Sequence, residues 1–207
     1  MFAKLQEAAL VGPAGSASKD CILFHEAQNQ GQWQTISPLR VVFPDVDVVP
    51  GANVTPAQAK HAPKVDWPEV HGPEGQLYTL IMTDPDLPKD PLHLKGEFVH
   101  WVVANCSKSS ADGDKIAGYF GPAPPFERPE HAHRYSYFLV PQKKHIEVGK
   151  DIAAVWLYQR GYFHVNDYVR KHVEFIDPVP VAASFHRSAY DGSLVTVLTT
   201  AVTFSWM

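Results

Sequence analysis

The stretch Leu77-Tyr78-Thr79-Leu80-Ile81-Met82-Thr83-Asp84-Pro85-Asp86-Leu87-Pro88 decides the fold. Its first seven residues are rich in β-branched, aromatic and aliphatic side chains, which predicts a strand. Pro85 and Pro88 fix φ, so the strand must stop at a stiff acidic turn. Working outward, residues 98–104 (Phe98-Val99-His100-Trp101-Val102-Val103-Ala104) and 135–140 (Tyr135-Ser136-Tyr137-Phe138-Leu139-Val140) read as strands for the same reason. Residues 39–49, interrupted by Pro44, are a weaker strand candidate, and residues 181–186 are another.

Eighteen prolines and 13 glycines punctuate the chain and shorten its elements. Helical signal is limited. Thr55-Pro56 has the form of an N-cap followed by proline at the first helical position, opening a short turn through Lys60. Residues 163–173 place Val165, Tyr168, Val169 and His172 on one face, with Arg170 and Lys171 opposite. Phe2, Leu5 and Ala9 fall at helical spacing and predict a short amphipathic helix over residues 1–10. Long helices do not alternate with the strands, so a doubly wound sheet is not expected. The expected fold is mainly β, a sandwich of two antiparallel sheets with a few short peripheral helices. A length of 207 residues suits one domain spanning 1–207.

The composition, 45% hydrophobic and 19% charged, is globular. Eighteen basic against 22 acidic residues give a net charge of −4, which argues against broad nucleic-acid binding. The two cysteines, Cys21 and Cys106, lie far apart and exclude a disulfide framework. Residues 1–10 lack the unbroken apolar core of a signal peptide, so a reducing, cytoplasmic location is expected. In that setting the sequons at 53–55 and 105–107 read as chance matches. The apolar tail 193–207 is shorter than the ~20 residues of a membrane span. It reads as a buried final strand, with a membrane-touching tail and peripheral membrane contact as the alternative.

Residues two apart in an extended segment point the same way, so Asp84 and Asp86 are candidates to face one space. The competing reading is a solvated acidic turn in which each Asp bonds its own backbone. His100, between Val99 and Trp101, reads either as a satisfied core residue or as a ligand contact. Gly121-Pro122-Ala123-Pro124-Pro125 forms a rigid turn whose amides suit an anion, or a rigid surface loop. Arg134 suits an anion or a structural salt bridge. His131 and His133 form an H-x-H pair of the kind that binds metals. A cupin-type site wants a glutamate shortly after, and residues 134–138 contain none, so no metal and no cofactor are expected. There is no G-x-S-x-G elbow, P-loop or dinucleotide fingerprint, and no placed nucleophile. No catalytic residues and no enzyme activity are therefore expected.

Taken in order, these pieces resemble the phosphatidylethanolamine-binding protein family, which includes the Raf kinase inhibitor proteins and the carboxypeptidase Y inhibitors. The likeness runs through Val54-Thr-Pro-Ala-Gln-Ala-Lys60, Pro63 and Trp67, then Tyr78 to Pro88, then Gly96-Glu-Phe-Val-His-Trp101. It continues through Gly121 to Pro125, His133-Arg134-Tyr135, and more weakly Phe163 to Phe185. It covers about residues 40 to 190, and D-P-D-x-P followed by G-P-x-P-P and H-R-Y is its specific signal. The resemblance implies a β-sandwich with a small anion pocket at one end. It implies that Asp84, Asp86, His100, His133 and Tyr135 line that pocket, with Gly121, Ala123 and Pro124 as backbone wall and Pro88 at the rim. It further implies a non-enzymatic protein that binds phosphate, phosphorylethanolamine or a phosphatidylethanolamine headgroup and regulates or inhibits a kinase or a serine carboxypeptidase. Two other readings stand beside it: a metal-dependent hydrolase using the Asp/Asp/His/His cluster, and a carboxypeptidase inhibitor acting through the N-terminal segment.

Two carboxylates repel an anion, so the pocket needs protons. His100 and His133 are expected to supply them, because an adjacent carboxylate raises a histidine pKa. Three features depart from the family pattern. The loop 126–132 is longer and charged. Ala123 stands where a glycine is frequent, which strains any positive φ. The tail beyond Asp191 does not follow the pattern, with Gly192 where an aromatic rim residue is frequent.

Overall fold

The computed structural model describes residues 37–86, 97–124, 132–148, 160, 172–177 and 179–191. The expected helix over 1–10, Pro88, His131, residues 126–131 of the long loop, most of the expected helix 163–173, and the tail from Gly192 onward lie outside them.

Among the described residues there are nine strands: β1 (Ser37–Pro38), β2 (Arg40–Phe43), β3 (Val46–Val48), β4 (Lys64–Asp66), β5 (Tyr78–Asp84), β6 (Phe98–Cys106), β7 (Asp114–Ala117), β8 (His133–Pro141) and β9 (Ala182–Ser188). They form two sheets. The large one runs β1-β9-β8-β5-β6-β7 and the small one β3-β2-β4. Every pairing is antiparallel except β1 with β9, which is parallel. The proline inside residues 39–49 resolves as a hairpin: Pro44 and Asp45 form the turn, and Phe43 pairs with Val46 across it. Proline supplies the fixed φ that a turn needs and a central strand rejects.

The expected cap at Thr55 is reciprocal. Its hydroxyl accepts from the Gln58 amide at 3.2 Å, and Gln58 Oε1 accepts from the Thr55 amide at 2.9 Å. The segment stays a single turn, closed by Ala59 N–H donating to Thr55 O at 3.0 Å.

β5, β6 and β8 read as continuous apolar runs because both faces of the large sheet are covered. One face packs on the small sheet, joining Leu80, Met82, Trp101, Tyr135 and Tyr137 to Val41, Phe43 and Val65. The other buries Ile81, Val99, Val102 and Val140 with Ile146 and Ile176. Side chains of this size each contribute about 2 kcal/mol on full burial, so the central strands fix the frame from which the site is hung. Beyond β9, the segment 51–54 folds alongside: Gly51, at φ 86°, donates to Phe185 O, and Val54 donates to Arg187 O.

Among the described residues, no helix is long and apolar enough to cross a membrane.

Candidate functional site

The site lies where β5 ends beside the start of β8. Asp84, the last residue of β5, is buried at 1% exposure. Its Oδ2 sits 2.7 Å from His133 Nδ1, and its Oδ1 accepts the Asp86 amide at 2.8 Å. Burial pushes the Asp84 carboxyl above its ordinary 3.8, against the opposing pull of His133. The pair is buried on both sides, with side-chain exposures of 1% and 2%.

Asp86 takes a different partner. Arg134 grips it with Nε at 2.6 Å and Nη2 at 2.5 Å, and the Arg134 amide adds a third bond at 2.9 Å. Successive residues of β8 point to opposite faces, so His133 and Arg134 draw the two aspartates apart. The bond from the Asp86 amide to the Asp84 side chain bends the chain at Pro85, ending the extended geometry in which residues two apart stay parallel. Of the two acidic residues, Asp84 pairs with His133 and Asp86 is neutralised by a bidentate guanidinium.

His100 reaches the same face as Asp84 through a bulge. Met82 pairs with Trp101, and the next residue, Thr83, pairs with Val99. His100 is therefore the extra residue, and it no longer alternates with Trp101. Its ring lies 4.8 Å from Phe98, 5.8 Å from Phe120 and 4.9 Å from Tyr135, the last edge to face. Its Nδ1 is 2.7 Å from Phe120 O, while the Phe120 amide donates to His100 O at 2.8 Å. A carbonyl only accepts, so Nδ1 carries the proton and Nε2 the lone pair. Burial, the Arg160 guanidinium and the imidazoles of His186 and His133 push the His100 pKa down to about 3, against the pull of the Phe120 carbonyl. The expectation of a proton stored on His100 fails for that reason: the Asp84 carboxyl is held by His133, and His100 faces a carbonyl.

The wall segment follows Phe120, with Gly121, Pro122 and Pro124 buried and Ala123 half-buried. Ala123 has no positive φ. Among the described non-glycine residues only Asn105 does, at 57°. The strain weighed for an alanine at this position does not arise. Tyr135, fully buried on β8, has its hydroxyl near the Ala123 amide but makes no direct hydrogen bond among the described residues.

Three residues that sequence reading passed over stand around this centre. His186 is the register partner of Tyr135 and stacks on it at 5.3 Å and 17°. Burial pushes its pKa down to about 3. Ser188 is the register partner of His133 and is 1% exposed. Period-2 spacing of Ser184, His186 and Ser188 on one strand was the available signal. Arg160 is buried behind His100, with Nη1 donating to Val99 O and His100 O at 3.1 Å each and Nη2 to Gly118 O at 2.8 Å. No pattern around Arg160 in the sequence announces that role.

Among the described residues, no three His, Cys, Asp or Glu side chains are grouped to hold a metal ion. The chemistry on offer is a buried acid–histidine pair, a neutral acceptor imidazole, several hydroxyls and a backbone wall. That set offers donors and acceptors of the kind a small polar anion takes.

A family model described as phosphatidylethanolamine-binding protein matches residues 42–185. The MOTHER of FT and TFL1 homolog 2 protein of Oryza sativa subsp. japonica is 35% identical over 107 residues, 51% of this chain and 58% of that protein. The chain thus spans about half the length of the curated relatives it matches. The solution structure of CG7054 superposes with a TM-score of 0.56 at 29% identity, covering 79% of this chain and 90% of that one. A carboxypeptidase Y inhibitor, solved in complex with its cognate proteinase, superposes with a TM-score of 0.57 over 84% of this chain and 97% of its own. At 19% identity it bears on the fold alone.

Proposed function

The chain belongs to the phosphatidylethanolamine-binding protein family, and from that premise we propose that its pocket holds the phosphate of a phosphate-ester headgroup without altering it chemically. Inorganic phosphate, phosphorylethanolamine and the headgroup of phosphatidylethanolamine all present that chemistry. The observation that carries this reading is the fully buried Asp84–His133 pair at 2.7 Å.

That pair sets the charge of the pocket through one proton. With the proton present, the pair is net neutral and His133 has a proton on Nε2, whether the shared proton sits nearer the acid or the imidazole. With it lost, the pair is net negative and repels an anion. Asp86 adds no repulsion, because Arg134 compensates it. Arg160 adds a positive charge behind His100, held by three carbonyl oxygens. Phosphate binding therefore requires the protonated pair, and affinity falls as pH rises through the titration of that pair. His100, already neutral well above pH 3, takes no part in that titration.

Beyond the pocket, the reading extends to regulation: the surface around the site binds and inhibits a kinase or a serine carboxypeptidase. Membership of the family supports a binding role over a hydrolytic one.

Calorimetric titration with phosphorylethanolamine on the wild type and His133→Ala tests the pocket. The variant should bind at least about tenfold more weakly, the scale of one lost charge-assisted hydrogen bond. Equal affinity removes the pocket from the function. A serine carboxypeptidase assay with the intact protein added tests the regulatory half, where no inhibition at micromolar concentration counts against that partner class.

A further inference from the structure

Resting on that reading, we infer that the pocket favours a phosphate ester whose alcohol carries a hydroxyl group over one whose alcohol carries an ammonium group. An ammonium buried at this site needs a carboxylate. Among the described residues, the two aspartates of the site are already engaged. Asp84 is taken by His133 at 2.7 Å and Asp86 by the Arg134 fork. A second cation, Arg160, stands behind His100 and adds repulsion.

What the site offers beyond the acid–histidine pair is neutral and mixed in polarity. His100 Nε2 accepts, because Nδ1 is committed to Phe120 O. The Tyr135 hydroxyl, beside the His100 ring, donates or accepts. His186 is neutral by burial, and its Nε2 has no partner among the described residues. Ser188 Oγ, opposite His133, has none there either. Tyr135, His186 and Ser188 lie on two alternate register pairs of one face, His133 with Ser188 and Tyr135 with His186, and the His100 ring stands 4.9 Å from Tyr135. An unpaired buried polar atom costs about 1–3 kcal/mol, so such a cluster calls for an occupant. An alcohol both donates and accepts, which complements interleaved acceptors and hydroxyls. An ammonium only donates, and can use the acceptors alone.

The test is calorimetric titration at neutral pH with three probes. Inorganic phosphate reports the anion reading by itself. 2-Hydroxyethyl phosphate and phosphorylethanolamine differ only in hydroxyl for ammonium. The hydroxyl ester should bind about tenfold more tightly, the worth of one or two neutral hydrogen bonds. Ser188→Ala and, independently, Tyr135→Phe should each shrink that preference at least about threefold. Equal affinity for the two esters, or a preference for phosphorylethanolamine, overturns the inference and leaves the anion reading intact if inorganic phosphate still binds. Failure of all three probes overturns both. Phosphatidylcholine vesicles carrying either phosphatidylglycerol or phosphatidylethanolamine identify the source. Retention on the phosphatidylglycerol vesicles assigns the hydroxyl ester to a lipid, and a preference confined to solution assigns it to a free ester. Retention on the phosphatidylethanolamine vesicles alone contradicts the inference.

Discussion

At the Thr79 end of β5, Gln142 uses its whole side chain. Oε1 accepts from the Thr79 hydroxyl at 2.9 Å and the Asn105 amide at 2.7 Å, while Nε2 donates to Asn105 Oδ1 at 2.9 Å and Lys144 O at 3.1 Å. Asn105 in turn binds Asp114, Ile146 O and Ile146 N–H. At the Asp84 end of the same strands, Tyr135 Oη, Ser184 Oγ, His186 Nε2 and Ser188 Oγ are buried without partners among the described residues. Both ends bury polar groups in one sheet. The saturated end ties β5, β6 and the exit of β8 together and has nothing left to offer a ligand. The unsaturated end forgoes that stability, which fits the binding role proposed for it. Buried polar atoms thus separate a structural network from a binding site according to whether their valences are filled.

The largest expected contrast between the two ends is in acid. His100 and His186 have folded pKa values near 3 against an ordinary 6.5. The unfolded chain therefore binds more protons between those values, and stability is lost as pH falls through that window. The two histidines together should remove about 5 kcal/mol between pH 6 and pH 4. Asp84, raised by burial, offsets part of this. His186→Phe should cut the pH slope of denaturant stability by about 1 kcal/mol per pH unit, and an unchanged slope would mean that His186 is not buried neutral. Next in size, Gln142→Ala should cost about 3 kcal/mol in chemical denaturation by orphaning several partners at once, and should leave phosphate affinity and the acid slope alone. A loss of phosphate affinity in that variant would erase the distinction between the ends. The smallest effect has the opposite sign: Ser188→Ala removes an unpaired buried hydroxyl and should leave the free protein as stable or more stable by up to about 1 kcal/mol. Destabilisation beyond that in a thermal melt would show that the hydroxyl is structurally satisfied.

The frame was legible because β5, β6 and β8 are covered on both faces, which writes them into the sequence as unbroken apolar runs. The hairpin at Pro44 was half legible, since proline marked the break but not the pairing across it. Asp84, His100 and His133 were each unremarkable alone and gained meaning from their order with the Gly121–Pro124 segment. Three things were hidden because they depend on register. The bulge that turns His100 toward Tyr135 leaves no mark in residues 98–104. The handing of Asp86 to Arg134 depends on which face of β8 each residue takes. His186 and Ser188 join the site only because β9 pairs with β8 at Tyr135 and His133. Arg160 reaches the site from outside the sheets, and no local pattern foretells which carbonyls it will hold.

The central claim, that a phosphate group is held against a proton-dependent Asp84–His133 pair, is tested most directly by titrating glycerophosphorylglycerol against the wild type and Asp84→Asn from about pH 5 to about pH 9. A phosphodiester keeps one negative charge across that range, so any pH dependence belongs to the protein. The wild type should lose affinity with rising pH, approaching tenfold per pH unit once the pair has lost its proton, and Asp84→Asn should flatten that profile. Flat wild-type affinity, or the same slope in both proteins, would contradict the account.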